Sequence, residues 1–373
     1  MLPGRPGHGS SSGWPGPPAP WRGGSWWSRW CSGGHPQAGS VWRRWPEWAA
    51  RPWWGRRAVS VTSERPRSRP LRLVARAVKR RSWVRGVFRG VATVLPGRAP
   101  TKDPIFIVGS PRSGTTMLFE ILDRSSQLAS VHGESHFLWQ LFHPFGGPGW
   151  SSHEVLPEQI TGRERRALYW MIHLISGDRR YLDKSPRNSL RVPYLRELFP
   201  TAWFLFLRRD GRATVSSLIN GWRTKDGIFP GTALPHLCID GYEGSRWKFL
   251  VPPGWEAYAT GKSLAEICAF QWVASNQAIL SAREQLDTDR WVDVSYEDLV
   301  RSPRREVERV LGELGIPAEE EVLGFADALD QHVTKAITPP REDKWRQENP
   351  EEIERILPLI DPMMRRLGYD PYA

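Results

Sequence analysis

The sequence predicts an α/β fold in three layers, with a central parallel sheet and helices on both faces. Three observations lead there. From about residue 101, short apolar runs alternate with segments of helical period, the pattern of βαβ units. The runs Ile105–Val108 and Ala202–Leu207 are almost continuously apolar, as strands buried on both faces must be. A loop of Gly, Ser, Thr and Arg, 109–116, joins the first strand to the first helix, where such sheets bind their ligands.

Taken in order, Asp103-Pro104 opens the strand Ile105–Val108, and Thr115–Asp123 follows as a helix that buries Met117, Leu118, Ile121 and Leu122. Tyr181–Asp183 is a short strand, and Val192–Phe199 is a helix stopped by Pro200. Ala202–Leu207 returns to the sheet and Arg212–Trp222 leaves it as a helix. Residues 263–286 form a long helix, Trp291–Ser295 a further strand, and Pro303–Leu314 and Pro350–Leu367 two more helices. Residues 224–262, rich in Gly and Pro, read as an insertion over one end of the sheet. There is no internal repeat.

The first hundred residues differ in kind. Residues 1–70 are rich in Gly, Pro, Arg and Trp without any period, and are predicted to be a disordered basic leader. Eleven of the chain's 21 tryptophans fall in residues 1–100, a heavy load for a disordered tail. In 71–100, Leu71, Val74, Val78, Val84, Val87, Phe88, Val91 and Leu95 fall near helical spacing with Arg and Lys between them. A basic amphipathic helix over 71–95 either packs on the main domain or makes a peripheral membrane contact. Residues 1–100 hold 19 Lys/Arg against 2 Asp/Glu, whereas 101–373 hold 33 against 38. The basicity therefore belongs to the leader, and the main domain carries no charge argument for nucleic acid.

Cys31, Cys238 and Cys268 form no paired spacing, which predicts neither a disulfide framework nor a zinc site. A reducing, cytoplasmic compartment is the expected one. The residues 1–30 lack an apolar stretch of the signal-peptide kind. No run reaches the roughly 18–20 apolar residues of a membrane span.

Two stretches carry the chemistry. Gly109-Ser110-Pro111-Arg112-Ser113-Gly114-Thr115-Thr116 has the spacing of a Walker A loop, with Thr115 where the Walker lysine would stand. Its glycines let the backbone curl around an anion, and Arg112 can supply the cation. The missing lysine speaks against the alternative of a P-loop kinase or other nucleotide-binding protein, which also needs an acidic metal ligand. The second stretch is Ala202 to Ser216, in which Arg208 at a strand end and Ser216 eight residues on can grip one phosphate.

Together these stretches resemble the PAPS-dependent sulfotransferases (PAPS is 3′-phosphoadenosine-5′-phosphosulfate), a P-loop-containing family. The resemblance implies that Arg112, Ser113, Gly114, Thr115 and Thr116 hold the 5′-phosphosulfate, and that Arg208 and Ser216 hold the 3′-phosphate. Arginine at 112 is similar to the tyrosylprotein and bacterial branch. His132-Gly133-Glu134-Ser135 resembles the stretch bearing that branch's catalytic base, and Asp183-Lys184-Ser185-Pro186 the one whose lysine contacts the transferring sulfate. Tyr296-Glu297-Asp298-Leu299 resembles a segment whose tyrosine lies near the donor, and Val333–Trp345 a closing lid in which Lys335 and Lys344 reach donor oxygens. The family's lid serine has no clear counterpart, since Leu329 falls near its place.

What this implies is transfer of a sulfuryl group from PAPS to an acceptor hydroxyl, releasing PAP. Arg112 and Lys184 stabilise the sulfuryl oxygens and the leaving oxygen. Glu134 takes the acceptor proton, its pKa raised by an apolar cleft of Phe137, Leu138 and Trp139, with His136 and His132 as rival bases. No metal is expected. The acceptor is open among carbohydrate, lipid, small alcohol and peptide tyrosine. A rival of another class is a non-catalytic module that works through its leader.

Overall fold

The computed structural model describes Gly90 and residues 99–100, 102–146, 149–224, 229, 231–234, 237–286, 289–329 and 343–372. The leader 1–70 and, Gly90 aside, the 71–95 helix lie outside the described residues. Among the described residues, no helix is long and apolar enough to cross a membrane.

The chain runs β1 (Ile105–Val108), α1 (Thr115–Leu122), β2 (Leu128–Ala129), α2 (His136–Gln140), α3 (Gly162–Ser176) and β3 (Arg180–Lys184). It continues through a short 3₁₀ turn, Pro186–Leu190, to α4 (Val192–Leu198), β4 (Trp203–Arg208), α5 (Gly211–Arg223), α6 (Leu264–Gln285) and β5 (Trp291–Ser295). It closes with α7 (Tyr296–Arg301), α8 (Pro303–Glu313), α9 (Glu320–Asp327), α10 (Trp345–Glu348) and α11 (Pro350–Arg366).

The five strands form one sheet in the order β2-β3-β1-β4-β5, and every pairing is parallel, with Ile107 beside Lys184 and Leu205, and Arg208 beside Ser295. Alternation along each strand divides the core in two. Phe106, Phe204 and Phe206 face one way, onto α3, α4, α5, α6 and α11. Ile105, Ile107, Leu205, Leu207, Val292 and Val294 face the other, onto α1, α8 and α9. Both faces are covered, which is why these strands read as continuous apolar runs.

Six elements lie beyond the sequence expectations, β2, α2, α3, α7, α9 and α10. β2 is only two residues long, too short for a pattern. The five-residue α2 makes barely more than one turn. α3 opens on the charged turn Arg163–Arg166 and then runs almost continuously apolar from Ala167 to Ile175, and Thr161 caps it by accepting from Glu164 N–H at 3.1 Å in a capping box. Within 224–262, two short strand pairs fold back, 232–233 with 246–247 and 238–240 with 260–263. Trp247, Leu250 and Val251 of this insertion are fully buried. Gln271 of α6 fixes it by donating to the carbonyls of Lys248 and Leu250 while accepting from Trp222 Nε1.

Gly114 is the sharpest backbone requirement. Its φ is +103°, and a Cβ there would lie 2.5 Å from the ring of Tyr296. Gly114→Ala is expected to cost about 1–3 kcal/mol. Gly133→Ala, with nothing within 4 Å of the added carbon, should stay within about 0.5 kcal/mol of the native protein. Urea unfolding of the two variants checks the contrast.

Candidate active site

Three adjacent strands end together. β1 runs into Gly109, β3 ends at Lys184, and β4 ends at Arg208 and passes the chain to Arg209. The loop after β1 therefore sits in the crevice outside the carboxyl ends of the sheet. Ser189, on the turn after β3, anchors it by accepting from Gly109 N–H at 3.2 Å and donating to Gly109 C=O at 2.7 Å. A Cβ on Gly109 would meet the Leu207 carbonyl at 2.6 Å, so glycine is required for the loop to approach β4. Ser113 donates its hydroxyl to Ser110 C=O at 2.7 Å and its N–H to the same oxygen at 3.1 Å. The Ser113 hydroxyl thus serves the loop itself, while the first N–H groups of α1, at Thr115 and Thr116, open toward an anion as at any helix start.

Arg112 occupies left-handed backbone space, with φ 69°. Its Nε donates to Ser217 Oγ at 3.2 Å, and its carbonyl accepts from Arg209 Nη1 at 2.9 Å. Burial, reinforced by the charge of Arg209, pushes its pKa down to about 10. The Arg209 guanidinium lies 3.9 Å above the Tyr296 ring, the ring that also packs on Gly114. The Nε atoms of Arg208 and Arg209 are both buried with no hydrogen-bond partner among the described residues.

The arginine and the serine that touch the loop are therefore Arg209 and Ser217, one residue past the Arg208 and Ser216 that the sequence singles out. Arg208 lies on the Phe206 face of β4 and donates to Leu367 C=O at 2.8 Å, near the chain's end. The buried Ser216 hydroxyl accepts from Asn349 Nδ2 at 2.8 Å. The same eight-residue interval fits 209 and 217, and side-chain alternation past the end of β4 decides between them. Arg208 ties the end of β4 to the C-terminal end of α11, and Ser216 ties α5 to the start of α11.

On the other side of the loop stands Lys184, 2% exposed. Its Nζ donates to Thr116 Oγ1 and to Glu134 Oε1, each at 2.8 Å. Glu134 Oε2 meets His136 Nε2 at 2.6 Å, and His136 Nδ1 meets Ser185 Oγ at 3.0 Å. A neutral imidazole protonated on Nε2 satisfies every contact, with Ser185 donating to Nδ1. Burial pushes the His136 pKa down to about 4, with the charge of Arg187 adding to it and the Glu134 bond only partly opposing. Burial alone would raise Glu134, as the sequence implies. The His136 hydrogen bond and the Lys184 charge outweigh it and hold the carboxyl well below its ordinary range. Phe137, Leu138 and Trp139 point into the core, at most 7% exposed, and do not supply the apolar cleft expected around Glu134.

The neighbouring pair fixes this one in place. Ser135 donates its hydroxyl to Asp183, which also accepts from Asn188 Nδ2 at 2.7 Å. Consecutive residues on two segments are thus bonded side by side, Ser135 to Asp183 and Glu134 to Lys184. His132 is drawn away, its Nδ1 2.7 Å from Asp123. Lys335 lies outside the described residues. Lys344 is half-buried at the start of α10, next to Trp345, over which the Arg212 guanidinium sits at 5.0 Å. Among the described residues no group of three His, Cys, Asp or Glu is arranged to hold a metal.

A parallel α/β sheet, an anion-cradling loop and a lysine–glutamate pair define a group-transfer enzyme acting on an anionic donor. The chain belongs to the sulfotransferase family: the model of the sulfotransferase family matches residues 104–230 and 250–320, and the chemistry is sulfuryl transfer. Similar proteins include protein-tyrosine sulfotransferase A of Caenorhabditis elegans, 28% identical over 298 residues, covering 72% of this chain and 68% of that one. Protein-tyrosine sulfotransferase 1 of Danio rerio is 27% identical over 293 residues, covering 72% and 73%. Among solved structures, sulfotransferase STF9 from Mycobacterium avium aligns with TM-score 0.48 and 16% identity, over 82% of this chain and 87% of that one.

The His136 environment has a consequence for stability. With its pKa at about 4 when folded against about 6.5 unfolded, the unfolded chain binds the proton first. Its contribution to stability is complete above about pH 6.5 and declines as pH falls toward 4. His136→Gln is expected to flatten the loss of stability between pH 6.5 and 5 by on the order of 1 kcal/mol, measured by urea unfolding at both pH values.

Proposed function

We propose that this sulfotransferase uses PAPS as donor and transfers its sulfuryl group to an acceptor hydroxyl, with Glu134 as base. The observation that carries the reading is the convergence of the 109–116 loop, Lys184 and Arg209 at three adjacent strand ends, with Glu134 bonded to Lys184. PAPS carries anions at two ends. The loop and the start of α1 suit the 5′-phosphosulfate. Arg209 and Ser217 suit the 3′-phosphate because both bond to Arg112 of the loop, where a phosphate oxygen can take the fork of a guanidinium.

In the transfer the acceptor oxygen forms a bond to sulfur as the bridging S–O bond to the 5′-phosphate breaks, and PAP leaves with the bonding electrons. The acceptor proton passes to Glu134. Charge in such a loose transition state spreads over the sulfuryl and leaving oxygens, so stabilisation by placed cations dominates. Lys184 and Arg112 are the cations of this site. As the sulfuryl oxygens draw on the Lys184 charge, its hold on Glu134 weakens and the carboxylate becomes a stronger base. His136, neutral, keeps Glu134 Oε2 oriented and is a positioning residue.

The relatives named as protein-tyrosine sulfotransferases make phenolic hydroxyls the first acceptors to test, ahead of carbohydrates, lipids and simple alcohols.

PAP is expected to raise the melting temperature, corresponding to about 2.7 kcal/mol at a hundredfold excess over its Kd. The absence of any shift at millimolar PAP would sink the donor assignment. Arg209→Ala should weaken PAP at least tenfold, as loss of a charged hydrogen bond of about 1.5–3 kcal/mol requires. Arg208→Ala should lower stability and leave PAP affinity in place. Calorimetric titration of both variants distinguishes the two arginines. Glu134→Gln should reduce turnover about 10²–10⁴-fold with PAP affinity retained, and undiminished turnover would pass the base role to His136.

A further inference from the structure

A group of hydrogen-bond donors lies beside Glu134, and sulfuryl transfer as derived above uses none of them. Arg187 leads the group. Its backbone N–H donates to Ser185 Oγ at 3.3 Å, and that hydroxyl meets His136, which holds Glu134. The Arg187 guanidinium lies 4.0 Å above the ring of Phe145. Lys184 has Glu134 as its ion-pair partner, whereas Arg187 has no such partner among the described residues. Burial, then the charge of Arg191, pushes the Arg187 pKa down to about 9, with Glu134 only partly opposing.

Phe145 also packs on His153, with ring centroids 4.5 Å apart, and on Trp150 at 6.1 Å, and those two rings lie 5.8 Å from each other. His153 is fully buried. Its Nδ1 accepts from Val251 N–H at 2.9 Å, so the neutral ring carries its proton on Nε2. That Nε2 is buried with no partner among the described residues, and so is the indole Nε1 of Trp150. Buried donors are rarely left unanswered in a folded protein. A guanidinium, an imidazole N–H and an indole N–H around one aromatic ring, with no acceptor supplied among the described residues, call for a group made of acceptors alone. A planar carboxylate matches the fork of a guanidinium, and its two oxygens only accept.

We infer that Arg187, Phe145, Trp150 and His153 form an acceptor subsite that takes a carboxylate borne by the acceptor, beside the hydroxyl presented to Glu134. This rests on the reading of Glu134 as the base, since that is what makes its surroundings the acceptor side. The subsite selects acceptors that pair a hydroxyl with a nearby carboxylate over neutral analogues.

The test uses benzoate, with benzamide as its neutral isostere, titrated by calorimetry into the full chain saturated with PAP. Benzoate should bind at least tenfold more tightly than benzamide. Arg187→Gln should erase that difference while the Kd for PAP stays unchanged. The Trp150 indole N–H resonance, assigned through Trp150→Phe, should move on addition of benzoate. Equal affinity for benzoate and benzamide in the native protein, or a preference that survives in Arg187→Gln, overturns the inference. If Arg187→Gln proves too unstable to bind PAP, the Trp150 resonance of the native protein decides, and one that stays still overturns it. Should PAP not bind the native protein at all, the donor reading falls. The benzoate and benzamide titrations into the ligand-free protein then judge the subsite separately.

Discussion

The site depends on one buried ammonium. Lys184 ends β3, beside β1, with 2% of its surface exposed, and a charge placed there is tolerated only with a partner and satisfied protons. Glu134 supplies the charge and Thr116 an acceptor oxygen. The two bonds join parts of the chain that are far apart in sequence: the first turn of α1, the end of β3 and the segment before α2. A stability requirement thereby assembles the 109–116 loop and Glu134 at one point. The pair of Ser135 with Asp183, one residue along on each segment, prevents that contact from sliding in register.

A second network explains why several conspicuous cations lie apart from the loop. Arg208 donates to Leu367 C=O, and Arg212 donates to Pro371 C=O while pairing with Asp210. Glu297 accepts from Asp210 N–H and from the Tyr369 hydroxyl. Together these bonds tie the C-terminal segment to the turn between β4 and α5. That turn carries Arg209, so the clamp made by Arg208 and Arg212 holds the neighbouring arginine against Tyr296 and the loop. Three arginines within five residues divide into one that faces the loop and two that position it.

The sheet was legible because its strands are buried on both faces. Ile105–Val108 was readable to the residue as an apolar run bounded by polar turns, and Trp291–Ser295 by the alternation of Val292 and Val294 with Asp293 and Ser295. α3 is less legible because its run Ala167–Ile175 is apolar nearly all round and shows little helical period, and β2 because two residues make no pattern. At the site, the loop, Lys184 and Glu134 were readable from local motifs. Arg209 and Ser217 were not, because Arg208-Arg209 and Ser216-Ser217 are doublets with identical spacing. Only the direction in which a strand releases its last side chain distinguishes them. The pKa of Glu134 was misjudged in sign for a related reason: composition announces apolar neighbours, but not that Phe137, Leu138 and Trp139 turn inward while Lys184 and His136 turn toward the carboxylate.

On the proposal that Glu134 is the base and Lys184 meets the sulfuryl oxygens, the chain of contacts from Ser185 through His136, Glu134 and Lys184 to Thr116 also constrains where a transferred proton can stay. His136 is neutral and too weak a base, with its pKa at about 4, to keep a proton at neutral pH, so it cannot serve as the resting place. Glu134 is more than a quarter exposed at its side chain, whereas Lys184 is sealed in, so the proton leaves Glu134 toward solvent and not inward along the network. Once it has gone, the carboxylate and the ammonium attract each other again. The strength of that attraction sets both the basicity available during transfer and the tendency of Lys184 to release the product's oxygens. A stronger pair would weaken the base, and a weaker pair would leave a buried ammonium uncompensated. The partial exposure of Glu134, beside a lysine that has almost none, places the pair between these limits.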